Sequence, residues 1–240
     1  MAELKLNMAM VLAAGFGKRL RPLTNDRPKP LVPVAGVSML DRTLNALVES
    51  GIKTAIVNMH YLGEQIANHC AQRTDINCII SVERDAILET GGGTVKALPL
   101  LGAEPFLLVN ADTFWIDFGT PTIDRMAAMF DESKMDILLL LCRKQNATGH
   151  SGGSDFLIDH QHRLKRAMSD NPDGVIYAGA AIYSPSIFEG AREEPHSLNV
   201  YFDKAINAGR LFGHVLEDGH WFTVGTPQGL VDVEEKLNSL

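Results

Sequence analysis

Five short, mostly apolar runs constrain this chain more than any other feature of its sequence. They are Met8–Ala13, Thr54–Asn58, Ile76–Val82, Phe106–Asn110 and Ile137–Cys142, each of five to seven residues. Runs this short suit strands buried on both faces and fall below the length of a buried helix. Helical patterns separate them. Ser38 is placed as an N-cap, Leu40, Leu44, Leu47 and Val48 then share one helical face, and Gly51 stops the helix. Leu62–Gln72, Thr90–Leu98 and Pro121–Asp131 read as further helices. Strand and helix in alternation predict a doubly wound α/β fold around a mostly parallel sheet.

After residue 142 the pattern changes. Ser154–Asp159 and Arg163–Met168 flank the polar turn His160-Gln161-His162 and predict a β-hairpin. Val175–Tyr183, Leu211–Leu216 and Trp221–Val224 read as strands, and Ser197–Ala208 and Pro227–Leu237 as helices. We expect antiparallel additions to the sheet in this half. No linker, repeat or low-complexity tract interrupts the sequence. Residues 1–240 therefore read as one domain, with a nucleotide half over about 1–142 and a substrate half over about 143–240.

A chain of 240 residues with 45% hydrophobic and 21% charged residues can bury a sizeable core. Its net charge of −7 argues against a nucleic-acid partner, which needs a basic face. No run reaches the roughly 20 apolar residues of a membrane helix. Cys70, Cys78 and Cys142 have no CxxC spacing and read as buried thiols, and a cytoplasmic location is expected. The histidines form no metal-ligand pattern, and His160-x-His162 reads as a solvated turn.

Against that acidic background, the loop after the first strand is basic. Between Gly17 and Pro30 stand Lys18, Arg19, Arg21, Arg27 and Lys29, against the single acid Asp26. Gly15 and Gly17 let the backbone approach a ligand and aim N–H groups at oxygens. Arginine and lysine add charge-assisted bonds to phosphate. Two common phosphate motifs do not fit. Gly17-Lys18 is followed by Arg19, where a P-loop needs Ser or Thr, and a dinucleotide fingerprint would need glycine where Leu20 stands. Two more polar segments follow strands, Glu89-Thr-Gly-Gly-Gly93 and Asn110-Ala-Asp112. A parallel sheet would gather all three at its carboxyl edge, where ligands of such sheets bind. Asp112, at the end of an apolar strand, is well placed to hold Mg²⁺.

The string LAAGFGKRLRPLTNDRPKPLVPVAG, from Leu12, resembles the signature of the sugar-1-phosphate nucleotidyltransferases, and the likeness runs from Met8 to the last helix. ETGGG at 89–93, NAD at 110–112, Gly-Ser-Asp-Phe at 153–156 and Trp-x-x-Val-Gly-Thr at 221–226 are most similar to the N-acetylmuramate-1-phosphate uridylyltransferases of cell-wall recycling. The resemblance implies a Rossmann-like nucleotidyltransferase fold. It also implies attack by a sugar-1-phosphate oxygen on the α-phosphorus of a nucleoside triphosphate, with Mg²⁺ as cofactor. Arg19, Lys29 and Asp112 are the expected catalytic residues, with Arg19 on the leaving pyrophosphate, Lys29 on the α-phosphate and incoming phosphate, and Asp112 on the metal.

Leu12, Ala13, Ala14, Gly15 and Gly17 are expected to bind nucleotide. So are Glu89, Thr90, Gly91, Gly92 and Asn110, with the glycine backbone lying against the base. Asn58 and His60 are expected to edge that pocket, and Asp155 and Gly179 to reach the sugar phosphate. Trp221 and Phe222 read as core. The family pattern breaks at Thr223, where the resemblance implies a second metal-binding aspartate. Three readings follow. Asp112, substrate phosphates and water hold the metal; or Asp203, Glu217 or Asp218 substitutes; or the chain is a nucleotide or sugar-phosphate sensor without turnover. Among enzymes, a mannose-1-phosphate guanylyltransferase is the alternative.

Overall fold

Residues 4–168 and 171–240 are described here by a computed structural model of the chain. The apolar runs form the sheet. In chain order the strands are β1 (Met8–Leu12), β2 (Pro33–Val34), β3 (Val37–Ser38), β4 (Thr54–Met59), β5 (Asn77–Val82), β6 (Phe106–Asn110), β7 (Thr113–Asp117) and β8 (Ile137–Cys142). They continue as β9 (Ala147–Thr148), β10 (Phe156–Ile158), β11 (Leu164–Arg166), β12 (Ile176–Tyr183), β13 (Leu211–Val215) and β14 (Gly219–Thr223). The helices are α1 (Met39–Glu49), α2 (Gly63–Cys70), α3 (Glu89–Leu101), α4 (Thr122–Met129), α5 (Asn199–Asn207) and α6 (Pro227–Asn238). Ser38 caps α1 as expected, its side chain accepting from Asp41 N–H.

The main sheet has the order β13-β8-β12-β6-β1-β4-β5. β1, β4, β5 and β6 run parallel, as do β8 and β13, and β12 runs antiparallel to both its neighbours. Alternate residues of each strand enter cores on opposite faces. Ala9 and Val11 of β1 pack with Leu40, Leu44 and Leu47 of α1, Ile66 of α2 and Met126 of α4. Met10 packs on the other face with Ala97 of α3 and with Phe202 and Ala205 of α5. The predicted hairpin is present as β10–β11.

β7 was not expected from the sequence. It pairs antiparallel with β14, which pairs with β9 in a three-stranded side sheet. Phe114 and Phe222 stack within a third core beside Val233 of α6. Trp221 and Phe222 are buried, as read. No helix of the described residues is long and apolar enough to cross a membrane.

The chain steps from β1 outward through β4 and β5, then returns to place β6 on the other side of β1. The order therefore reverses between β1 and β6, whose last residues, Leu12 and Asn110, pair directly. A crevice at such a reversal is where open α/β sheets bind ligands.

Candidate active site

A cleft of ≈ 420 Å³ opens at that reversal. Its walls are Leu12–Gly15 after β1, Lys29 and Pro30 from the basic loop, Glu89 and Thr90 at the head of α3, and Asn110–Asp112 after β6. The three segments singled out by sequence thus do converge.

The basic loop is folded upon itself. Gly17 has φ +62°, a left-handed conformation that favours glycine, and a Cβ there would press on Lys29 and Thr24 at 3.0 Å. The buried Thr24 hydroxyl donates to Gly17 O at 2.8 Å, and Tyr61 Oη donates to the carbonyls of Thr24 and Asn25. This brings Lys29, which opens a short 3-10 turn after Pro28, into the cleft. Its Nζ lies 2.6 Å from Asp112 Oδ2. The lysine side chain is largely covered, while the carboxylate is 38% exposed.

The other cations of the loop do not line the cleft. Lys18 sits over the Phe16 ring, and Arg21 and Arg27 are exposed. Arg19 is also exposed, and its guanidinium lies against Gly225. The adjacent Val224 N–H donates to Asp112 O at 3.3 Å, so Arg19 stands beside the cleft on the side of Asp112.

Among the described residues, the N–H groups of Ala14, Gly15, Phe16 and Gly17 donate to no protein acceptor, whereas Ala13 N–H donates to Asn58 Oδ1 at 2.6 Å. A Cβ at Gly15 would meet nothing within 4 Å, so packing does not explain a glycine there. Consecutive free N–H groups form a concavity suited to anions.

Gly91 and Gly92 correct the sequence reading. Their backbone does not face the cleft. Both N–H groups donate to His196 O, and a Cβ would stand 2.5 Å from the His196 ring or 2.2 Å from Glu194 O. Bare helix surface is needed there because the segment 194–198 straps across α3. His196 N–H donates to Leu88 O, and Leu198 N–H to Thr90 Oγ1. The strap brings Ser197 to the cleft wall, with Ile87 nearby on the same wall. Nothing local in the sequence marks either residue. Glu89 lines the cleft with φ +59°, a sparsely populated conformation for a residue with a side chain. His60 faces Phe16 and bonds Glu83 O, away from the cleft.

On the other side, Gly179 has φ +78° in an irregular stretch of β12, and a Cβ would lie 2.5 Å from Thr113 Oγ1 and 3.2 Å from Asn110 Nδ2. Glycine there lets β12 close upon Asn110. Asp155 is exposed and accepts from Tyr177 N–H at 2.8 Å. The Tyr177 hydroxyl is buried without a partner, and burial first, then the Asp112 and Asp155 charges, push its pKa up.

Thr223 lies directly opposite Thr113 in the β7–β14 pair, so the two share a face. Thr113 Oγ1 donates to Ala178 O on that face, next to Gly179. Asp203, Glu217 and Asp218 pair with Arg166, Arg143 and Arg125 respectively, and none lines the cleft. Among the described residues no three His, Cys, Asp or Glu side chains converge on a point. The donors present still suit Mg²⁺, which needs one or two carboxylates and completes its shell with phosphates and water. Asp112 Oδ1 accepts no hydrogen bond from the described residues.

Residues 8–152, well over half the chain, match the family described as nucleotidyl transferase. The chain belongs to that family. It is 39% identical over 236 residues, 96% of each chain, to the N-acetylmuramate alpha-1-phosphate uridylyltransferase of Caulobacter vibrioides. A protein of the same name from Neisseria meningitidis is 34% identical over 185 residues, 76% of this chain and 77% of its own. A UDP-glucose pyrophosphorylase solved with UDP-glucose superposes with a TM-score of 0.77 over 98% of this chain and 99% of its own, at 16% identity, a likeness of fold alone. The chain is a sugar-1-phosphate nucleotidyltransferase on a Rossmann-like fold.

Proposed function

We propose that this nucleotidyltransferase joins UTP and N-acetylmuramate-1-phosphate, releasing pyrophosphate, as part of cell-wall recycling. The observation that carries the reading is the Lys29–Asp112 pair, 2.6 Å apart in a cleft lined also by Ala14 and Gly15, whose N–H groups are unpartnered. Likeness along nearly the whole chain to a uridylyltransferase of that sugar supports the choice of substrates.

The nucleophile needs little activation, because a phosphate monoester has a second pKa of about 6 and is largely dianionic at neutrality. The barrier lies in bringing two polyanions into line, so neutralisation and positioning supply the catalysis. The N–H groups of Ala14 to Gly17 donate to the triphosphate. Lys29 turns from Asp112 to the α-phosphate and the incoming oxygen. Arg19 holds the leaving pyrophosphate, where a planar fork can grip two oxygens. Asp112 would hold Mg²⁺, which would supply further neutralisation of phosphate charge. The base lies between Leu12–Gly15 and Glu89–Thr90, with Asn110 toward the ribose. The sugar phosphate occupies the side of Asp155, Gly179 and Thr223, so that residues 143–240 supply most of its site. Gly91 and Gly92 act one step removed, by seating the strap that holds α3.

A matrix of the common triphosphates against several sugar-1-phosphates, read as pyrophosphate, tests the reading. The highest kcat/KM is expected for UTP with N-acetylmuramate-1-phosphate. Preference for GTP with mannose-1-phosphate would overturn the substrates. Nucleotide binding without any turnover would favour a sensor.

A further inference from the structure

Glu83 is the one acidic or basic side chain among the described residues that is fully buried, at 2% exposure, and its side-chain partners are an amide and a backbone N–H. A buried carboxylate without a cation is costly, and an apolar pair would pack the same space more cheaply. Its contacts form a directed chain. Ala13 N–H donates to Asn58 Oδ1 at 2.6 Å, Asn58 Nδ2 donates to Glu83 Oε1 at 2.7 Å, and Leu88 N–H donates to Glu83 Oε2 at 2.7 Å. Asn58 is equally buried. The chain thus begins at the end of β1 and finishes at the head of α3, the two walls between which the base is placed. It also explains the third glycine of the ETGGG run. A Cβ on Gly93 would stand 2.7 Å from Glu83 Oε1 and 2.9 Å from Asn58 Nδ2.

We infer that Asn58 and Glu83 are positioning residues that fix the spacing of the two nucleotide-binding walls. The inference rests on the nucleotide site described above. Asn58 occupies the Ala13 N–H and so holds that strand end at a set distance, leaving the next four N–H groups free. Glu83 ties the same amide to Leu88, immediately before Glu89 and Thr90. Neither residue is assigned to the reacting phosphates, so the effect should fall on nucleotide affinity and spare the chemical step.

The donor–acceptor order gives a sharp test. In Glu83→Gln, whichever way the two amides turn, one N–H donor must face another. In Asn58→Asp combined with Glu83→Gln every contact is satisfied again: Ala13 and Gln donors meet the new aspartate, and Leu88 N–H meets the Gln oxygen. UTP dissociation constants are measured by calorimetry with Mg²⁺, beside kcat, the KM for the sugar-1-phosphate, and thermal unfolding. Glu83→Gln is expected to weaken UTP about tenfold or more, the scale of a lost charged hydrogen bond. The kcat and sugar-phosphate KM should stay within about twofold of the wild type, and the double variant should recover UTP binding to within about threefold. Equal loss for both substrates, or a folded Glu83→Gln with wild-type UTP affinity, overturns the inference. If Glu83→Gln does not fold, the double variant decides, and a folded double variant with tenfold weaker UTP binding overturns it. Because UTP binding is read without turnover, failure of the inference is distinct from failure of the catalytic reading, which shows as wild-type protein that turns over no sugar-1-phosphate.

Discussion

Lys29 and Asp112 neutralise one another across 2.6 Å, and the partly exposed pair contributes less than about 1 kcal/mol to the fold. Lys29→Ala and Asp112→Ala should therefore each depress kcat by more than tenfold while the unfolding midpoint holds; wild-type rates in either would remove the assigned roles. Thr223 shares a face with Thr113 beside Asp112, and a carboxylate there would be a stronger metal ligand than a hydroxyl. Thr223→Asp should hold Mg²⁺ at least as tightly as the parent in the presence of nucleotide, read as the metal dependence of the rate. A clear loss would show that position 223 does not serve the site. Gly15 offers a contrast with the glycines of α3. Space is open around it, so Gly15→Ala should leave stability within ~0.5 kcal/mol and weaken UTP binding about tenfold.

At the scale of elements, the head of α3 shows what the sequence could and could not disclose. ETGGG was legible as special, but its glycines suggested a surface for a base. Two of them instead face the 194–198 strap and the third faces Glu83. Their partners are a strap about 100 residues away and a carboxylate just past the end of the edge strand β5, beyond any local pattern. Gly92→Ala would drive a Cβ into a backbone carbonyl 2.2 Å away and should cost about 1–3 kcal/mol, a fall of roughly 2–4 °C in Tm per kcal/mol for a chain of this size. An unchanged Tm would mean that the strap can move freely. The apolar strands were readable because burial on both faces leaves no polar positions. β7 escaped notice because its five residues, Thr113–Asp117, follow Asp112 immediately and carry an apolar run of only Phe114-Trp115-Ile116, shorter than the runs of the main sheet. The pairing that makes it a strand comes from β14, in a distant part of the chain.

At the scale of the molecule, the sheet interleaves the two ends of the sequence, with β12 inserted between β6 and β8 and β13 on the edge. His214 of β13 is half-buried, with Nε2 unpartnered, and burial lowers its pKa from the usual 6.5. The folded protein thus favours the neutral ring, and the unfolded chain binds more protons below about pH 6.5. Stability should be fully present above that value and fall as pH drops toward the folded-state pKa. Denaturant unfolding at pH 7.5 and 5.5 should show the decline, and His214→Gln should shrink it; an unchanged slope would acquit that residue. The central claim is that the loop after β1, Lys29 and Asp112 surround a triphosphate. A crystal structure with a non-hydrolysable UTP analogue and Mg²⁺ tests it most directly. The account predicts phosphate oxygens on the N–H groups of 14–17, Lys29 Nζ within hydrogen-bond reach of the α-phosphate, and the metal on Asp112. A triphosphate bound elsewhere, with the Lys29–Asp112 pair intact, would contradict it.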